Sequence, residues 1–188
     1  MSVAKVLRRI TAALDQAGIE YMLTGSFASA YHGAPRSTQD IDFVIDAKPA
    51  QLKALVQALP ESEYYVDLTA ALEAHKRESM FNVIDIGDGW KIDFMLRKLR
   101  PFSEEEFARR HRVILHGISI FVASVEDIIV AKLEWSKLAQ SQRQIEDVAA
   151  ILRVRVGGLD RPYLEKWIHE LDLTKQWGEA QQSAGLKS

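Results

Sequence analysis

Hydrophobic positions at the start of the chain recur every three to four residues. Val3, Val6, Leu7, Ile10 and Leu14 fall on one side of a helix, and Gly18 supplies its stop. Residues 19–24 are a short apolar run ending at Gly25-Ser26, which reads as a strand leading into a turn. Ser26 is placed to cap a helix of one or two turns, FASAYH, closed by Gly33. Pro35 breaks the chain, and residues 41–45 form a second strand. Leu52, Leu55, Val56 and Leu59 mark a second amphipathic helix starting near Pro49. Residues 82–86 and 90–96 read as a hairpin around Gly87-Asp88-Gly89. Ser103-Glu104-Glu105-Glu106 has the form of a capping box. Residues 112–115 and 118–122 suggest another hairpin around His116-Gly117. After Ser124 the period turns helical, with Ile128, Ile129 and Leu133 on one helix and Ile145, Val148, Ile151 and Leu152 on the next. Gly157-Gly158 interrupts, a helix around Trp167 follows, and residues 180–188 read as a frayed tail.

This alternation predicts an α+β fold: a mixed-sheet domain over residues 1–123, with a helical region over 124–188 packed on it. Composition agrees. A chain of 188 residues with 47% hydrophobic and 27% charged residues can build a core without staples. The formal net charge of -2 gives no global basic field for nucleic acid. Absence of cysteine removes disulfides, thiolate metal sites and cysteine nucleophiles. The charged N-terminus lacks a signal-peptide core, and no run approaches the ~20 apolar residues of a membrane span. The expectation is a cytoplasmic protein with no membrane partner.

One stretch does not fit a purely structural reading. In TGSFASAYHGAPRSTQDIDFVID, Asp40 and Asp42 lie inside an apolar run. On a strand they project to one face, with Ile41, Phe43 and Ile45 on the other. Their Cα atoms lie about 7 Å apart, so two carboxylates there repel by roughly 2 kcal/mol at an effective dielectric of 20. Divalent cations remove the conflict, and two ions about 3.5–4 Å apart can share a carboxylate. Asp93, in GWKIDFML, has the same apolar setting and shares its face with Lys91 and Met95. If the two strands are neighbours, Asp93 reaches the same metals and can serve as a general base. Asp85 is a competing carboxylate, read as a cross-strand ion-pair partner of Lys91. Upstream, Gly25 allows close backbone approach and Ser26 opens a helix, a combination that suits phosphate.

The block from Gly25 to Asp46 resembles the signature of the nucleotidyltransferase superfamily with the DNA polymerase β-type fold. Within it the chain is most similar to AbiEii-type nucleotidyltransferases, toxins of some phage-defence and toxin–antitoxin systems. The matched positions are Gly25, Ser26, Arg36, Thr38, Asp40 and Asp42, with Asp93 as third carboxylate. SVEDIIVAKLEWS resembles the family helix whose lysine contacts nucleotide, here Lys132. RQIEDVAAIL resembles the following helix, with Arg143 and Asp147, which the i, i+4 spacing alone explains as a helix ion pair. The resemblance implies transfer of a nucleoside monophosphate from an NTP, with two Mg²⁺ or Mn²⁺ ions held by Asp40, Asp42 and Asp93. Gly25, Ser26, Arg36, Thr38 and Lys132 would be nucleotide contacts. An RNA end, a protein or a small molecule would be the acceptor, and an antitoxin a possible partner. Two alternatives remain at this point: an inactive nucleotide- or partner-binding module of the same fold, and a metal-dependent phosphoesterase. Without the family, Lys132 reads as a surface lysine and Arg36 as a partner of Asp40 or Asp42.

Overall fold

The computed structural model describes residues 3–155 and 157–186. Its elements follow the order α1 (Val3–Gln16), β1 (Glu20–Thr24), α2 (Gly25–Tyr31), β2 (Asp40–Asp46), α3 (Pro49–Ala58), β3 (Tyr64–Val66), α4 (Leu68–Lys76), β4 (Met80–Asp85), β5 (Lys91–Leu96), α5 (Pro101–Ala108), β6 (His111–Leu115), β7 (Ile118–Val122), α6 (Val125–Ala139), α7 (Gln142–Val154), α8 (Arg161–Glu170) and α9 (Thr174–Ser183). The chain is α+β, as its periodicity predicts. It divides into two compact units. The first comprises Met1–Phe27 and Ser37–Ala123, the second Ala28–Arg36 and Ser124–Ser188. The segment Ala28–Arg36 therefore groups with the C-terminal helices, although it lies between the first two strands in sequence.

The first unit is built on a seven-stranded mixed sheet of order β3-β4-β5-β2-β1-β7-β6. Its antiparallel pairs are β1 with β2, β3 with β4, β4 with β5 and β6 with β7, the last two being tight hairpins. Two parallel joins, β2 with β5 and β1 with β7, unite them. The apolar sides of the central strands form the core: Phe43 stacks near Phe94 at 5.9 Å between ring centroids, and Tyr21 meets Phe43 edge-on at 5.7 Å. The apolar stripe of α1, Val6, Leu7, Ile10 and Leu14, is fully buried. The second unit buries Ile129, Leu133, Val148, Ile151, Leu164 and Trp167 among its helices.

Several local readings are corrected. Ser26 lies inside α2, which starts at Gly25, so it is not an N-cap. Ser103 is likewise inside α5. That helix begins at Pro101 with Arg100 as N-cap, because proline at the first position needs no N–H acceptor. Instead of capping, Ser103 Oγ accepts a hydrogen bond of 3.0 Å from Arg100 Nε. Asp85 does not pair with Lys91. The register sets Ile84 opposite Lys91, so Asp85 faces the other way and its Oδ1 accepts the N–H groups of Gly87 and Asp88, each at 3.0 Å. β3 and α4 carry too little periodic pattern to be predicted. Three residues cannot establish an alternation, and α4 is announced chiefly by its cap, Asp67, which accepts the Thr69 N–H at 2.7 Å. The expected tail is helical through Ser183, with Ala180 fully buried, while residues 187–188 of that prediction lie outside the described residues. Among the described residues, no helix is long and apolar enough to cross a membrane.

Candidate active site

The site residues predicted from sequence fall into two groups, one in each unit. The first group gathers on the central strands of the sheet. β2 and β5 run parallel, with Asp40 beside Lys91 and Asp42 beside Asp93 in register. Neighbouring strands lie about 4.8 Å apart, so alternation puts all four side chains on one face. β1 completes the row, with Thr24 opposite Asp42. The three carboxylates differ in setting: Asp40 is exposed, Asp42 half-buried, and Asp93 only 6% exposed.

Gly25 follows Thr24 directly and adopts φ +62. A Cβ there would stand 2.0 Å from Asp42 Oδ2 and 2.6 Å from its Cγ. The absence of a side chain at Gly25 is thus what makes room for the Asp42 carboxylate. Ser26, the next residue, is buried. Thr38 shapes the entry to β2, its Oγ1 accepting the Asp40 N–H at 3.1 Å.

Lys91, read from sequence as an ion-pair partner for Asp85, belongs to this acidic row. Its Nζ donates to Asp93 Oδ2 at 2.5 Å. Burial works against the charged ammonium. The hydrogen bond to Asp93 and the fields of Asp93, Asp40 and Asp42 outweigh it and raise the lysine above its ordinary pKa. The alternation of β5 already sets Lys91 and Asp93 on one face, and that was the signal for it. The other oxygen of Asp93, Oδ1, is buried with no hydrogen-bond partner among the described residues.

As the side chains stand, no three of the described histidine, aspartate and glutamate side chains converge enough to hold a metal ion. The donors nevertheless suit one. All are hard carboxylate oxygens, two strands hold them in register, and a buried oxygen of Asp93 lacks a partner. By donor chemistry, Asp40, Asp42 and Asp93 suit a hard divalent cation.

The second group is Arg36 and Lys132, both in the second unit. Lys132 is not a surface lysine: it is 5% exposed, and its Nζ donates to Asp147 Oδ2 at 2.6 Å and Gln144 Oε1 at 3.2 Å. Arg36 Nε donates to the same Asp147 oxygen at 3.1 Å. Asp147 thus spends its carboxylate on two distant cations, rather than on Arg143 one turn away. Only side-chain packing across α6 and α7 reveals this, since helical spacing pointed to the local pair.

Comparison with known proteins places this geometry in context. No curated protein matches the sequence. Among solved structures, the chain is similar to ANT(2'')-Ia in complex with adenylyl-2''-tobramycin, at TM-score 0.60 and 15% identity over 90% of this chain and 96% of that one. It is also similar to an antigenic nucleotidyltransferase-like protein from Paracoccidioides brasiliensis, at TM-score 0.57 and 18% identity over 98% and 94%. A third is the lincomycin-bound lincosamide antibiotic adenylyltransferase LnuA, at TM-score 0.50 and 15% identity over 80% and 96%. At such identities the likeness is one of fold. A family model described as nucleotidyltransferase of unknown function (DUF6036) matches residues 1–186, and the chain belongs to that nucleotidyltransferase family.

Proposed function

We propose that this protein transfers a nucleoside monophosphate from an NTP to a hydroxyl acceptor, with Asp40, Asp42 and Asp93 as its acidic centre. The observation that supports this most is Asp93. A buried carboxylate oxygen without a partner costs about 1–3 kcal/mol, and such a group is retained where a ligand or a proton completes it. In the reaction the acceptor oxygen bonds to the α-phosphorus, the bond from that phosphorus to the bridging oxygen breaks, and pyrophosphate leaves. Asp93, oriented by β5 and shielded from water, takes the acceptor's proton. Asp40 and Asp42 would hold Mg²⁺ or Mn²⁺ with Asp93; bound ions neutralise the phosphate charge that develops. Gly25 keeps the space beside Asp42 clear, and Gly25, Ser26 and Thr38 are the proposed nucleotide-side residues of the first unit. Arg36 and Lys132 are proposed as nucleotide contacts of the second, so their substitution should raise the KM for NTP more than it lowers kcat.

The test is incubation of α-labelled NTP and Mg²⁺ or Mn²⁺ with the protein and three acceptor classes: RNA, protein and hydroxylic small molecules. Label on an acceptor, reduced at least about 100-fold in Asp42→Asn and Asp93→Asn of unchanged fold, is the expected result; groups acting together in one site give losses of this size. Equal transfer by Asp42→Asn would sink the mechanism, and label released only as free product would mark hydrolysis instead. The similarity of Gly25–Asp46 to AbiEii-type enzymes supports a finer proposal, a toxin of a toxin–antitoxin or phage-defence pair. Growth arrest on expression, relieved by Asp42→Asn, is its signature.

The Lys91–Asp93 ion pair favours one second reading, a nucleotide-binding module without catalysis, because an internal cation already balances the acidic row. Calorimetric binding of NTP without transfer to any acceptor would support it.

A further inference from the structure

The acidic row contains a fixed anion and a removable cation. Asp93 is buried on a central strand of the sheet, and its side chain is 8% exposed. Lys91, on the same strand, carries its ammonium on a flexible four-carbon stem, and its side chain is 38% exposed. An ion pair with one partner this accessible is partly screened, so it is weaker than a fully buried pair. The lysine can therefore leave toward solvent while the aspartate cannot. Lys91 also stands beside Asp40 in the register, two residues from the Asp42–Asp93 pair and on the same face, so its charge occupies the region where the three carboxylates would gather a metal.

We propose that Lys91 is a built-in counter-cation: its ammonium holds Asp93 while the acidic row is free, and yields that place when a divalent cation arrives with nucleotide. The inference rests on the nucleotidyltransferase reading for the identity of the incoming cation. Two consequences follow from charge alone. A bare divalent ion must displace Lys91 and meets a repelling positive charge, so it binds weakly. An ion that arrives with an NTP brings phosphate oxygens to which the released ammonium can donate, so nucleotide strengthens metal binding. By linkage, metal strengthens nucleotide binding by the same factor. Lys91 would thereby bias the site against loading metal alone. It is a positioning residue in this scheme; no bond is made or broken at its nitrogen.

Titration calorimetry with Mn²⁺ tests this on the full chain, with and without a non-hydrolysable NTP analogue. Lys91→Met should bind bare Mn²⁺ about tenfold more tightly than wild type, and the gain in Mn²⁺ affinity on adding analogue should shrink by a similar factor. Lys91→Arg, which keeps the charge, should behave as wild type. In thermal melts without metal Lys91→Met should be the less stable protein, and Mn²⁺ should restore it more than it stabilises wild type. Lys91→Gln keeps a donor for Asp93 without the charge and gives the same comparison should Lys91→Met fail to fold. Equal bare-Mn²⁺ affinity in wild type and both uncharged variants, with analogue-dependent binding intact in all, overturns the role of Lys91 and leaves the nucleotidyltransferase reading standing. No Mn²⁺ binding in any protein, with or without analogue, overturns both.

Discussion

At the scale of single residues, the sharpest constraint is Gly25. An alanine there combines two costs: a left-handed backbone, about 1–2 kcal/mol for a residue with a Cβ, and overlap with the Asp42 carboxylate. Gly117 has φ +75, but a Cβ there would meet nothing within 4 Å, so it separates the two costs. Gly25→Ala is expected to lower the melting temperature more than Gly117→Ala and to abolish nucleotide transfer, which Gly117→Ala leaves intact. Tyr21 supplies a second prediction. Burial, helped by the field of Asp15 and opposed by that of Arg112, pushes its phenol up to about 12. The unfolded chain loses this proton first, near pH 10, so the folded state binds more protons above that pH. Stability is then full below about pH 10 and falls as pH rises through about 12. Denaturant titrations should show a shallower alkaline loss in Tyr21→Phe. Much of this scale was legible in the sequence. Strand alternation alone sets Asp40 with Asp42 and Lys91 with Asp93. Which carboxylate Lys91 serves was not legible, because the choice between Asp85 and Asp93 depends on hairpin register.

At the scale of elements, α6 and α7 are joined by a buried ion pair that also anchors Arg36. Removing Asp147 breaks the buried Lys132–Asp147 pair from one side, a change that typically costs about 3–5 kcal/mol. Asp147→Ala should therefore shift the urea midpoint strongly downward, whereas Arg143→Ala should leave it nearly unmoved. The long amphipathic helices and the two hairpins were readable because each carries its own period or turn signal. His116 and Gly117 both adopt positive φ, as a two-residue hairpin turn requires. β3 and α4 were not readable, since neither is long enough to display a period. The two helix starts misread at Ser26 and Ser103 share a cause. A serine near a helix start is a good cap by chemistry, but each of these helices opens earlier, at Gly25 and at Pro101.

At the scale of the whole chain, the fold class followed from the alternation of elements, but the allocation of Ala28–Arg36 to the second unit did not. No local signal marks it; it is defined by contacts distant in sequence. Arg155 Nε donates to the His32 carbonyl at 3.0 Å, and a Cβ on Gly33 would stand 2.8 Å from Val154 Cγ1. A fragment of residues 124–188 lacks this segment. It should show weaker helical circular dichroism per residue than the same region in the intact chain, and addition of a peptide of residues 28–36 should recover part of it. The sheet order also carries a kinetic consequence. Hairpins β4–β5 and β6–β7 close locally and quickly, but the parallel join of β2 to β5 must wait for distant segments to meet. That same event carries Asp93 alongside Asp42, and Lys91, arriving on the same strand, offsets only part of the like charge that the three carboxylates bring together. Refolding should then speed up with ionic strength and in Asp93→Asn, which makes the rate of folding itself a gauge of the charge the mature site has to hold.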